Sequence, residues 1–366
     1  MDPFVAVRPI HTRTLDVEVS DTGDGAWLAR GELVDLRKSG FVPVAGDLQM
    51  SGLLHHMRVR ARFDPGTGVV EEIGAEQPAV AFESSSLSCG ESCRDPVERI
   101  RALTGTTLGS GFSGRLNEAI GGPRGCTHVL TLSHLVGTTL SDLVAGEHSP
   151  PAMERRASER IFARSLSFDA SLRSDSELEI AVQLTDLHFA PAAQIARPME
   201  RFAKQVEVRA AATVELGDLA LRGLQVAQRQ RALAELESAR WISLAEEVAP
   251  FVGQPVARGM RKRVLERFEG TAEGAPVVAV LLNLAPAVFQ CVASLSKPWP
   301  ALAARDSSLI FAGGPVDSCF MWRREGALAR VKERELDSSR EACTTMRSPD
   351  ASPPNPGPRA AGTRHS

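Results

Sequence analysis

Apolar and polar residues alternate along several stretches of the chain. Leu15-Asp16-Val17-Glu18-Val19 and Met57-Arg58-Val59-Arg60-Ala61-Arg62-Phe63 both repeat every second residue. That period puts the apolar side chains on one face, which marks strands of an antiparallel sheet solvated on its other side. Asp64-Pro65-Gly66-Thr67-Gly68 has turn composition, and Val69 to Ile73 resumes the strand pattern. Four strand-like runs with short connections predict a meander. The period then changes. Asp95-Pro96 opens a helical run with Val97, Ile100 and Leu103 on one side, stopped by Gly105. A second helix is predicted from about Gly111 to Ile120, and a third from the neighbourhood of Gly125-Cys126-Thr127-His128. Strands followed by helices give an α+β fold, with the helices covering the sheet's apolar face.

The pattern occurs twice. Residues 11–146 align in order with residues 162–296: HTRTLDVEVS with ARSLSFDAS, WLARGELVDLR with LEIAVQLTDLH, LHHMRVRARFD with FAKQVEVRAAAT, and CTHVLTLSHLVGTTLSDLVAG with PVVAVLLNLAPAVFQCVASLS. Matching segments in the same order predict a tandem duplication, and the long period excludes a solenoid. The expected organisation is a first α+β repeat over residues 1–146, a linker over 147–161 marked by Ser149-Pro150-Pro151, a second, degenerate repeat with an extension over 162–336, and a disordered Ser/Pro/Arg/Gly-rich tail over 337–366. The two repeats are expected to pack as an internal pseudo-dimer.

Composition narrows the function. The 366 residues carry a formal net charge of -3 and no Tyr, which argues against a nucleic-acid binder built on basic stripes and stacked bases. The start, Met-Asp-Pro-Phe-Val-Ala-Val-Arg, lacks the pattern of a secretory signal, so reduced thiols and a cytoplasmic location are expected for the six cysteines. Ala275 to Ser296 is uncharged and long enough to span a bilayer, but Asn283, Pro286 and Gln290 interrupt it, and a buried core helix with no membrane partner is expected. Phosphate-loop and nucleophile-elbow motifs do not occur, and the Gly-rich run Gly109 to Gly114 follows a helix rather than a strand.

The candidate chemistry lies in the first repeat. Cys126 at a helix start sits where the helix dipole favours thiolate, which binds soft metals or attacks electrophiles. His128 can ligate or act as a base; the plainer alternative is a buried Cys filler beside a capping His. His55 and His56 are strand neighbours, so one of them at most reaches a shared site. His56 is favoured, because His55 shares its face with Met57, Val59 and Ala61. Cys89 and Cys93 follow, with a spacing unlike a zinc knuckle. Asp35 recurs as Asp186 in the second repeat, a structural signature more than a ligand; His11 and Arg13 precede the first strand, and Arg164 repeats the Arg. Gly313 to Arg323 gathers polar, Cys and aromatic residues and reads as a return strand or turn packing Phe320 and Trp322 onto the sheet.

His11-Thr12-Arg13, Trp27 with Gly31-x-Leu33-x-Asp35, His55/His56-Met57-x-Val59-Arg60, Leu103-x-Gly105 with Gly111-Phe112, and Gly122-x-x-Gly125-Cys126-Thr127-His128 together resemble an uncharacterised bacterial family, domain of unknown function 2889. The stretch around Cys89 and Cys93 departs from that family's pattern, and the resemblance implies no activity. The order of elements is also similar, at fold level, to iron–sulfur cluster scaffold proteins, with His55/His56, Cys89 or Cys93, and Cys126 at the places of their ligands, though the scaffold's Cys-Gly-Asp is not present.

The leading expectation is a soluble module that holds Zn or Fe through His56, either Cys89 or Cys93, and Cys126, with His128 as a further candidate and a link to iron–sulfur chemistry among the options. Two rivals stand beside it: a non-catalytic module presenting its two lobes to a protein partner, and an enzyme with Cys126 as nucleophile and His128 or His56 as base.

Overall fold

Strands form where the two-residue alternation runs longest. In the computed structural model these are β1 (Arg8–Asp21), β2 (Trp27–Arg37), β5 (Gly52–Phe63) and β6 (Val70–Ala79) in the first half. The second half supplies β7 (Arg160–Leu172), β8 (Glu177–Phe189), β9 (Phe202–Glu215) and β10 (Leu221–Ala232). A small hairpin of β3 (Val42–Val44) and β4 (Asp47–Gln49) sits apart, and β11 (Ile242–Ser243) adds a short edge. The structure describes residues 8–38, 42–44, 47–109, 111–145, 155–232, 238–256, 259–268, 274–295, 316–331 and 333–334. The expected tail over 337–366, the Ser149-Pro150-Pro151 part of the linker, Gly313 to Pro315 and Cys343 lie outside these residues.

The nine long and edge strands make one antiparallel sheet in the order β11-β10-β9-β8-β7-β1-β2-β5-β6. Each half is a meander, and the two meanders join through their first strands: β1 pairs antiparallel with β7, with Leu15 opposite Leu166 at the middle of the register. The sheet therefore runs without a break through both halves, and one apolar core spans them.

Each meander is followed by helices in the same order. The first half has a 3-10 turn (Val97–Leu103), α1 (Phe112–Ile120) and α2 (Thr127–Ala145). The second has the short α3 (Ala245–Val248), α4 (Met260–Phe268) and α5 (Gly274–Ala293). The fold is α+β. The first predicted helix closes as a 3-10 turn; the other two begin within a residue or two of the expected positions. The long helices lie against one face of the sheet, α2 over β1, β2 and β5, and α5 over β7, β8, β9 and β1. Along β1, β2 and β5 the inward positions alternate strictly, from His11 through Val19, Ala29 through Arg37, and His55 through Phe63.

The helix α5 is long and apolar enough to cross a bilayer, and here more than half of its most apolar stretch is buried against the sheet. After it, residues 316–331 cross to the first half. Phe320 donates its backbone N–H to Gly125 O at 2.8 Å, Thr127 Oγ1 donates to Ser318 O at 2.6 Å, and Trp322 packs edge-on to Phe82. That segment therefore adds no strand to the sheet. It caps the end of the first meander, because its apolar side chains find a partly covered apolar wall there.

Candidate functional site

At one end of the first meander the inward face stops being apolar. Register places Arg13 of β1 opposite Asp35 of β2, and Asp35 opposite His55 of β5, so three polar side chains form a row across three strands. His11 and Arg37 form the next rung. All five are buried. The row is roofed by the start of α2, whose first turn lowers His128 onto it: the His55 and His128 rings stack with centroids 3.7 Å apart.

Asp35 is the centre of the group. Its Oδ1 lies 3.0 Å from His11 Nε2 and 3.6 Å from Arg13. Its Oδ2 lies 3.4 Å from His55 Nδ1 and 3.5 Å from His128 Nε2. Those last three atoms, Asp35 Oδ2, His55 Nδ1 and His128 Nε2, are buried and make no hydrogen bond. Asp35, His55 and His128 each offer a ligand atom within 4.8 Å of the others, a group that could hold a metal ion. Buried polar atoms are nearly always satisfied, so three unsatisfied ones facing one point ask for a shared partner.

Protonation suits that partner. Burial by itself would raise the Asp35 carboxyl, but the Arg13 charge, the His11 hydrogen bond and the close approach of His55 and His128 hold it well below the usual carboxylate range. Burial pushes the His55 imidazole down, with Asp35 opposing, and pushes His128 well down, reinforced by the neighbouring His55. A carboxylate and two neutral imidazoles are the states that ligate a metal without first losing a proton.

The expected site residues divide. His128 belongs to the group. Cys126 sits beside it, its Sγ 3.8 Å from His128 Nδ1, and Cys93 lines the same cavity together with Cys319. The group of ligand atoms contains no sulfur. The thiolate expected at Cys126 is also reversed: burial raises its thiol, outweighing the backbone N–H groups of the helix start. Burial likewise holds Cys93 well up, with Cys126 and Cys319 adding to it, and Cys319 is pushed up to about 12.

His56 and Cys89 fall elsewhere. His56 takes the outward position of β5 and meets Glu32 at 2.5 Å; the inward position belongs to His55. The expectation of His56 assumed a site away from the apolar face, whereas the polar row lies on that face, continuing the phase of Met57, Val59 and Ala61. Cys89 is exposed in a turn at φ 53°. His11, Arg13, Asp35, Arg37 and His55 were legible as polar residues at inward positions of otherwise amphipathic strands, a signal that strand phase alone carries.

The group borders a cavity of about 310 Å3. Arg13, Arg37 and His55 of the polar row form its floor, and its other walls come from α5, the start of α2 and the capping segment around Phe320.

Residues 11–141 match the sequence model of a family described as protein of unknown function (DUF2889). The matched stretch runs from β1 into α2 and contains Asp35, His55 and His128. None of the curated proteins is similar enough to the chain to match it.

Proposed function

We propose that the first half is a mononuclear metal site, for Zn or Fe, in which Asp35, His55 and His128 are the protein ligands and the ion faces the adjoining cavity. The single observation that carries this reading is the convergence of three unsatisfied buried ligand atoms on one point. Ligands held about 2.0–2.2 Å from one ion stand roughly 3–3.5 Å apart. The carboxylate-to-imidazole separations of 3.4 and 3.5 Å already have that span. Two His and one carboxylate leave coordination positions open, the arrangement of sites where the metal acts on a small molecule rather than only bracing a fold.

The second half supports the reading by contrast. Arg164 and Asp186 hold the positions of Arg13 and Asp35, and they close on each other as a two-point pair at 2.7 Å. In the first half the same carboxylate stands 3.6 Å from its Arg and turns its other oxygen to two imidazoles. A carboxylate needed only to neutralise its Arg would close on it as Asp186 does.

His11 and Arg13 then act as positioning residues. His11 holds Asp35 Oδ1 and so aims Oδ2, as carboxylates and imidazoles behind metal ligands do elsewhere.

The test is metal content and Co(II) uptake of the full chain. Wild type should hold one equivalent, while His55→Gln and His128→Gln should each weaken binding by at least about 100-fold. His56→Gln and Cys89→Ser should bind as wild type does. A wild-type protein that takes up no Co(II) or Zn(II), or His55→Gln and His128→Gln variants that bind normally while folded by circular dichroism, would sink the proposal.

A further inference from the structure

Arg37 is 2% exposed and lines the cavity beside the metal-ligand row. It shares the inward face of β2 with Asp35, two residues away and so about 6.6 Å along the strand. Its hydrogen-bond partners among the described residues are all neutral: Ser294 Oγ at 3.3 Å, Gln49 O and Oε1 at 3.3 Å each, and Ala293 O at 3.5 Å. These are long contacts for a guanidinium. Among the described residues no carboxylate lies within ion-pair distance of it.

The other two deeply buried arginines differ. Arg164 is closed on Asp186, and Arg13 faces Asp35. A buried charge without a counter-charge is expensive, and proteins keep one where a ligand brings the opposite sign. The charge count points the same way: Arg13 and Arg37 line the cavity, and Asp35 adjoins Arg13 and His55 without lining it. Asp35 supplies one negative charge against two guanidinium groups, and a divalent ion at Asp35 would widen the positive excess.

The rest of the cavity sets the ligand's body. Leu54, Phe82, Phe289 and Met321 make apolar walls, and among the described residues no lysine lines the cavity. A phosphate, with two negative charges, would call on both guanidinium groups, and Arg13 already faces Asp35. A carboxylate, with one negative charge, matches the one guanidinium without a counter-charge, and the contacts of Arg37 leave it an Nη1 N–H to accept from.

We infer that the cavity binds a small organic carboxylate with an apolar body, its carboxylate held by Arg37 and its body between Phe82, Phe289 and Met321, next to the Asp35–His55–His128 site. The inference rests on the metal reading for the ligand's neighbour and on Arg37 for its charge. The size of the cavity, at the lower end of small-molecule pockets, suits a ligand of benzoate or hexanoate scale.

Calorimetric titration of the Co(II)-loaded full chain with benzoate, hexanoate and their neutral isosteres, benzamide and hexanamide, tests it. At least one acid should bind roughly tenfold or more tightly than its amide, the gap expected of one charge-assisted hydrogen-bonded pair. Arg37→Gln should remove that gap and leave Co(II) stoichiometry unchanged, with Arg37→Lys recovering part of it. The inference is overturned if neither acid binds, if acid and amide bind alike, if inorganic phosphate binds more tightly than both acids, or if folded Arg37→Gln still prefers the acid. The acid–amide comparison uses wild type alone and so survives a variant that fails to fold. The two readings also fail separately. Acid preference in a chain that takes up no Co(II) retires the metal, and Co(II) uptake without acid preference retires the carboxylate.

Discussion

Asp35 and Asp186 show how one residue type at one register position takes two roles. Asp186 is locked to Arg164, and Arg164 Nη1 also donates to Thr139 Oγ1 of α2. Nothing in that arrangement is left over for a ligand. Removing one partner of such a buried pair strands the other charge, so Asp186→Asn should cost about 3–5 kcal/mol in denaturant unfolding. Replacing both by apolar residues, Arg164→Met with Asp186→Leu, should cost much less than the single change. A single substitution costing under about 1 kcal/mol would contradict the burial argument. Two histidines remote from the Asp35–His55–His128 group add to the acid response of His55 and His128, whose imidazoles burial also pushes down. Burial depresses His134 to about 4, helped by Arg261, and depresses His188 to about 4. In the unfolded chain both titrate near 6.5. Between those values the unfolded state binds more protons than the folded one, so stability should fall as pH drops from 6.5 toward 4. Each histidine contributes roughly 1–3 kcal/mol to that drop, reduced for partial exposure. Asp142 acts in the opposite direction, since burial pushes it up to about 6 and the folded state takes its proton first. The double variant His134→Gln, His188→Gln should flatten the drop when unfolding free energy is measured across this range; an unchanged slope would refute the assignment.

At the scale of elements, the Asp35–His55–His128 group depends on how closely α2 approaches the sheet. Gly31 of β2 makes room for it: a Cβ there would meet Val136 at 2.7 Å and Leu132 at 3.1 Å. Both neighbours are core side chains of the helix that begins next to His128. Gly31→Ala should therefore cost about 1–3 kcal/mol by overpacking. It should also weaken Co(II) binding, because pushing α2 outward lifts His128 from Asp35. Stability and Co(II) affinity measured on the same preparation check this; a loss of stability with unchanged affinity would show that the start of the helix moves independently of its middle.

The whole molecule is organised around the β1–β7 seam. The sheet crosses it without interruption, α5 reaches from the second half over β1, and its end supplies the Ala293 carbonyl, with Ser294 just after it, to Arg37. The segment after α5 then caps the same cavity. The matched family region thus borrows walls from residues beyond 141. A fragment of residues 1–146 would present β1 as an open edge. It should dimerise or aggregate in light scattering rather than stay monomeric, and its Co(II) affinity should fall below that of the full chain. A monomeric fragment with full affinity would show that the second half is dispensable to the site.

Much of this architecture could be read from the chain. Two-residue alternation located β1, β5 and β6, glycines and Asp95-Pro96 bounded the helices, and in-order similarity located the four strands of the second half. These features are local: side-chain alternation and chain breaks depend on a few neighbouring residues. The composition of the site is not local. Whether His55 or His56 faced inward depended on where the helices lay, because a strand offers both faces until something covers one. Asp35 looked structural because Asp186 repeats it, and only the different surroundings of the two carboxylates separate their roles. The sequence by itself determined that strands and helices form, in what order, and which residues are able to ligate. Tertiary packing alone decided that Asp35, His55 and His128 share a point and that Arg37 is sealed beside them, because those contacts join residues far apart along the chain whose positions are set by the shared core.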